Sequence, residues 1–152
     1  MDGKQLLFQS WTTFKFLRLF IFENALRFKI NDIMSSKDPD WWETKLKIDL
    51  PKIYEYSKEE KARQDQLPMV GSSGILQPLD YLTLGRLEQI IIKYENEFVP
   101  SVFRKLDFFT GHMEIVKRVR NGIAHMAPSM TVKDIHNAKH EIDILLQHLS
   151  TL

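Results

Sequence analysis

The chain has 152 residues, enough for one domain whose core needs no covalent staples. It has no cysteine, which excludes disulfides, thiolate metal sites and a cysteine nucleophile. Its 21 basic and 20 acidic residues leave a net charge of +1, too balanced for a sequence-independent nucleic-acid coat but compatible with an enzyme that touches RNA at one site.

The opening Met1-Asp2-Gly3-Lys4-Gln5 lacks the basic start, apolar run and cleavage site of a secretion signal. The most apolar stretch, Phe14 to Met34, is broken by Lys15, Arg18, Glu23, Arg27 and Lys29, so no membrane span is expected. A cytoplasmic setting follows as the expectation. Apolar residues recur at helical spacing almost throughout, and no alternating run predicts a sheet. The reading is an all-α bundle in a single domain over 1–152, with a flexible internal loop at about 67–78.

The first predicted helix runs from Ser10, as N-cap, to Met34. Phe14, Leu17, Ile21, Ala25 and Phe28 form one stripe, while Phe16, Leu19, Phe20, Leu26 and Ile30 occupy much of the other side. A helix apolar nearly all round is buried nearly all round. In so small a domain this predicts a second molecule over part of it, hence a homodimer; cover by the second helix and the tail is the alternative. Trp41 and Trp42 open a second, more polar helix that fades near Gln66, with Trp41-Trp42 anchoring it in the core. Lys58-Glu59-Glu60-Lys61 and Arg63 read as its solvated face.

Leu67 to Pro78 is rich in Gly, Ser and Pro and reads as a loop; Gly71-Ser72-Ser73-Gly74 lacks the Lys-Ser/Thr of a phosphate-binding loop. A third helix is predicted over Leu79 to Tyr94, a short one over Ser101 to Phe108, and another over Gly111 to Met126, stopped before Pro128. The last helix starts at Thr131, whose hydroxyl can cap it while Asp134 suits the positive end of the dipole.

The segment Arg120-Asn121-Gly122-Ile123-Ala124-His125 carries the chemistry. With Val119 at the centre of the core stripe, about 100° per residue puts Arg120, Asn121 and His125 on the half facing away from the core. Arginine offers a planar fork of donors for phosphate oxygens, and histidine moves a proton near neutral pH. Together they suit RNA cleavage without a metal, the ribose 2′-hydroxyl attacking its own phosphate. The helix dipole alone would also favour Arg and His at this end. Asn121, one turn before His125, can orient its ring. Glu23 and Arg27 are spaced to pair with each other, or Glu23 faces the site and tunes Arg120 or His125. His112, His136, His140 and His148 read as scattered over polar faces, and the His136/His140 spacing lacks the glutamate pattern of a helical zinc site.

Arg120-Asn121-Gly122-Ile123-Ala124-His125, preceded by Ile115-Val116-Lys117-Arg118-Val119, resembles the signature of the HEPN superfamily: an Arg, a polar residue and, a few residues on, a His near the end of a late helix. Phe22-Glu23-Asn24-Ala25-Leu26-Arg27, Asp40-Trp41-Trp42 and the Leu-Gly-Arg-Leu-Glu core of Leu79 to Ile92 resemble one branch, found in bacterial defence and toxin-like proteins and at the ends of some eukaryotic RNA-surveillance endonucleases. The resemblance implies a HEPN-like bundle of about four to five main helices that dimerises to bring two motifs into one cleft. It implies catalytic roles for Arg120 and His125, with Asn121 as accessory; Glu23 on the first helix is a further candidate for the site. RNA would meet Arg120, Lys117 and Arg118. Neither cofactor nor metal is implied; an antitoxin or a larger defence complex would be a further partner. A non-catalytic module binding RNA, nucleotide or protein is the alternative.

Overall fold

A computed structural model describes residues 3–66, 76–124 and 131–150, with side chains over 17–66, 76–122 and 131–150. The architecture is all-α, with no strand among the described residues. In chain order it comprises α1 (Gly3–Lys37), a π-helical turn (Trp42–Leu46) running into α2 (Lys47–Asp49), α3 (Pro51–Asp65), a 3-10 turn (Pro78–Tyr81), α4 (Leu84–Lys93), α5 (Glu95–Phe98), α6 (Leu106–Ala124) and α7 (Val132–Ser150). No helix among the described residues is long and apolar enough to cross a membrane. Contacts gather the chain into two compact units, Met1–Leu26 with Val99–Leu152, and Arg27–Phe98.

In the first unit, α1 buries Leu19, Phe22 and Leu26 at spacings of three and four residues. α6 buries Phe109, Met113, Val116 and Val119, and α7 buries Ile135, Ala138, Ile142, Leu145 and Leu149. Each of these side chains larger than alanine contributes about 1.5–3 kcal/mol on leaving water. Val119 clusters with Ile135 and Ala138, and Phe103 stacks on Phe109 at 4.5 Å between centroids. An Arg18–Asp143 ion pair adds a polar tie between α1 and α7. α7 starts as predicted. The Thr131 hydroxyl oxygen accepts the Asp134 N–H (3.2 Å), and the Asp134 carboxylate accepts the Thr131 N–H and hydroxyl (2.8 Å each). These bonds, the backbone one foremost, hold the Asp134 carboxyl below its ordinary value.

In the second unit, Trp41 is buried, as its anchoring role requires, and so are Ile30, Met34, Leu46, Leu79, Leu87 and Ile90. The Ser57 hydroxyl donates to the Pro78 carbonyl (2.8 Å), and Arg27 donates to the carbonyls of Leu79 (3.2 Å) and Leu82 (3.0 Å). The Arg86 guanidinium lies 3.5 Å over the Tyr56 ring. On α3, Arg63 and Gln64 bond Glu60, drawing its carboxyl down to about 2 while Lys58, Glu59 and Lys61 stay exposed, as the solvated-face reading holds.

Several boundaries differ from the sequence reading. α1 starts at Gly3, so Ser10 lies inside the helix and not at its N-cap position. The second predicted helix is broken at Leu50 (φ −134°, ψ 62°), because Pro51 has no N–H to give and its ring pushes the preceding residue out of the helical region. The third starts at Leu84; Leu82 and Thr83 are extended, and the carbonyls of Leu79 and Leu82 go to Arg27. Residues 101–105 form no helix of their own, and α6 begins at Leu106, with Gly111 inside it. The predicted stops at Met126 and within 67–75 lie outside the described residues.

Gly111 is exposed, and a methyl group added there meets no atom within 4 Å. Gly111→Ala therefore removes backbone freedom from the unfolded chain without a clash and is expected to stabilise by about 0.4–1 kcal/mol. A thermal melt should show a higher midpoint; an unchanged or lower one contradicts the account.

Candidate active site

The last turns of α6 place the motif. Its buried stripe, Phe109, Met113, Val116 and Val119, centres nearer Val116 than Val119, since Ile115 is only half-buried. At about 100° per residue Arg120 then falls about 40° from Val116. Arg120 is thus on the packed side of α6, not on its outward half as the wheel centred on Val119 predicts. Its Nε donates to Glu23 Oε1 on α1 at 2.9 Å, the arginine side chain being 36% and the glutamate 14% exposed. Glu23 thus meets Arg120 across the two helices. Arg27, one turn on, donates through Nε and one terminal amino group to the Leu79 and Leu82 carbonyls.

Asn121 is exposed, as expected, and Gly122 half-buried. His125 lies outside the described residues. Lys117 is half-buried and Arg118 exposed, with Glu114 3.8 Å from Arg118. At 74% exposure for each partner, that pair contributes little and leaves the cation solvated. The described residues therefore place three cations, Lys117, Arg118 and Arg120, on the closing turns of α6, and one carboxylate against the innermost.

His112 and His148 are not on polar faces. His112 is bonded through Nδ1 to Glu141, packs edge-on against Phe108 with centroids 4.4 Å apart, and is largely covered. The His148 ring lies 4.9 Å from Phe108, and its Nδ1 donates to the Ile144 carbonyl (2.9 Å). Burial first, then the imidazoles of His148 and His140, push His112 below its ordinary value. Apolar spacing concealed this cluster because an imidazole edge-on to a phenyl ring packs as an aromatic does. Eight residues of helix, about 12 Å, separate His112 from Arg120, so the two do not share one phosphate. His136 and His140 are exposed on α7, and the described residues hold no group of three metal-binding side chains.

No family model, curated protein or solved structure matches the chain.

The Glu23–Arg120 geometry sets a stability test. Arg120→Ala removes a charge-assisted bond to a mostly buried carboxylate, with an expected loss of about 1–2 kcal/mol. Glu23→Gln keeps an acceptor opposite Nε and should lose less. Urea titrations compare the two; Arg120→Ala within about 0.5 kcal/mol of the parent, the scatter of ordinary surface changes, would mean the pair adds no stability.

Proposed function

We propose that the chain is a HEPN-like, metal-independent endoribonuclease of toxin or phage-defence type, cutting RNA with Arg120 and His125 at the cleft of a homodimer. The observation that carries the reading is the 2.9 Å bond from Arg120 to Glu23. It joins the two stretches of sequence on which the resemblance rests, the late-helix motif and the Glu-bearing first helix. Glu23 accepts from Nε, so the terminal amino groups of the fork carry the donors that would meet a phosphate.

In the proposed reaction the ribose 2′-oxygen attacks the adjacent phosphorus and the bond to the 5′-oxygen breaks. A 2′,3′-cyclic phosphate and a 5′-hydroxyl result, the 2′ proton leaving and the 5′-oxygen gaining one. His125 moves a proton, Asn121 steadies its ring, and Arg120 balances charge growing on the phosphoryl oxygens. Lys117 and Arg118 would hold flanking phosphates. Glu23 is a positioning residue, acting through Arg120. An antitoxin or a larger defence complex belongs to this reading as a partner. The same ion pair favours a second reading, a non-catalytic module, because a carboxylate on Arg120 already neutralises much of the charge a phosphate would seek.

Incubation of the purified chain with labelled RNA separates them. Cleavage should persist in EDTA, leave a cyclic phosphate, spare an all-deoxy strand and fall about 10²-fold or more in His125→Ala and Arg120→Ala. An inactive parent, or a His125→Ala variant as active as the parent, supports the non-catalytic module instead.

The dimer has its own support. Leu17, Phe20 and Ile21 are 54%, 59% and 55% exposed, at the i, i+3, i+4 spacing of one helix face. That face is opposite in kind to the buried Leu19, Phe22 and Leu26, and a second copy of α1 would cover it. Phe20→Glu should convert a dimer to a folded monomer. Light scattering that finds the parent monomeric at tens of micromolar, roughly where weak interfaces dissociate, would rule the dimer out.

A further inference from the structure

The second unit contains a cleft of about 220 Å³, lined by residues from the end of α1, the turn after it and the segment entering the 3-10 turn. Its polar lining is one-sided. Asp40 and Glu43 supply carboxylates, Asn31 and Gln77 supply amides, Trp42 supplies a half-buried ring, and among the described residues no cationic side chain lines it.

The acceptors are unequally engaged. The Leu79 carbonyl is taken by Arg27 and the Pro78 carbonyl by Ser57. Asn31 Oδ1 accepts a long bond from the Trp41 indole N–H (3.4 Å) and has a lone pair to spare. Glu43 accepts from the Tyr54 hydroxyl (3.0 Å) and has Lys47 at 3.8 Å, so its charge is partly answered. The Asp40 carboxylate is bonded to no donor among the described residues; its own N–H and C=O hold the local turn. The Gln77 side chain accepts the Asp80 N–H in a capping box. The cleft therefore presents a free carboxylate, a spare lone pair on Asn31 and an indole, and asks for a flat, donor-rich cation.

A guanidinium meets each demand. It is planar, always charged, carries five N–H donors and no acceptor, and stacks on aromatic faces while forking onto a carboxylate. An ammonium lacks the planar fork, and a phosphate or nucleotide would meet two carboxylates. The same segment already receives one guanidinium, since Arg27 bonds Leu79 and Leu82.

We propose that the cleft lined by Asn31, Asp40, Trp42, Glu43 and Gln77 is a binding site for a guanidinium group. The group comes either from an arginine side chain of another polypeptide or from a small free guanidine. This site is independent of RNA cleavage and stands whether or not that reading holds.

The test uses the full chain labelled with ¹⁵N. Nα-acetyl-arginine methylamide should shift the Trp42 indole N–H and the backbone signals of Asp40 and Gln77 saturably, with Kd of about 1 mM or tighter. The neutral isostere acetyl-citrulline methylamide should bind about tenfold more weakly or worse, because it forfeits the charge-assisted bonds. Asp40→Asn should erase that preference while leaving the rest of the spectrum in place, as its carboxylate holds nothing else. Citrulline binding as well as arginine, AMP shifting these signals in its stead, or no saturable shift up to about 20 mM, a range that covers weak side-chain analogues, would overturn the proposal. Agmatine and a blocked Gly-Arg-Gly peptide distinguish the sources. A peptide bound at least as tightly as agmatine assigns a polypeptide arginine; a peptide excluded while agmatine binds assigns a free guanidine.

Discussion

A 35-residue helix that is apolar around most of its circumference cannot be satisfied by one neighbouring layer, and this constraint on α1 governs the rest. Its Leu19, Phe22 and Leu26 go into the first unit's core, and its Ile30 and Met34 into the second's. Leu17, Phe20 and Ile21 remain exposed, as does Phe28 farther along at 74%. Three adjacent large apolar side chains on one helix face differ from scattered ones of the same number in that a single contact can remove the whole patch from solvent. The same helix also brings its carboxylate, Glu23, to Arg120, so apolar burial and the polar site are set by one rotation of α1 about its axis.

The Glu23–Arg120 pair carries a tension of its own. A carboxylate left 14% exposed is costly to desolvate, and a guanidinium at 2.9 Å offsets that cost. The stronger the compensation, the less charge Arg120 has for anything else. A monodentate contact through Nε is a compromise geometry: it fixes the plane of the fork against α1 while the terminal amino groups point elsewhere on the same rigid plane. A bidentate clamp would have stabilised the fold more and closed the fork to any phosphate.

How far the sequence is legible varies with the kind of information. Periodicity carried the helical class and the Thr131–Asp134 cap, because both are local, written within a turn or two of chain. The break at Leu50 was also local, present in Pro51, yet a continuous polar pattern across it masked the missing donor. Other features depend on partners distant in sequence. Leu79 to Thr83 leave the helix where Arg27, more than fifty residues earlier, takes two of their carbonyls. The azimuth of Arg120 turned on which residues of α6 the neighbouring helices cover, and a wheel centred one turn late rotated the motif outward. His112 was read as polar because its burial depends on Phe108 and on Glu141 of a different helix.

Net charge hides more than any of these. A balance of +1 argues against nucleic-acid coating and, taken as a sum, shows no electrostatic feature. The fold segregates the charges instead. The closing turns of α6 gather Lys117, Arg118 and Arg120, while the cleft of the second unit gathers Asp40 and Glu43 with no cation in its lining among the described residues. At physiological salt the Debye length is about 8 Å, so each patch is felt by a ligand at its own surface and hardly at all through the sum over the chain. In the two proposed readings the cationic helix end meets phosphates and the anionic, indole-walled cleft meets a guanidinium. What decides each preference is the charge within a few ångströms of the site, and composition averages that away.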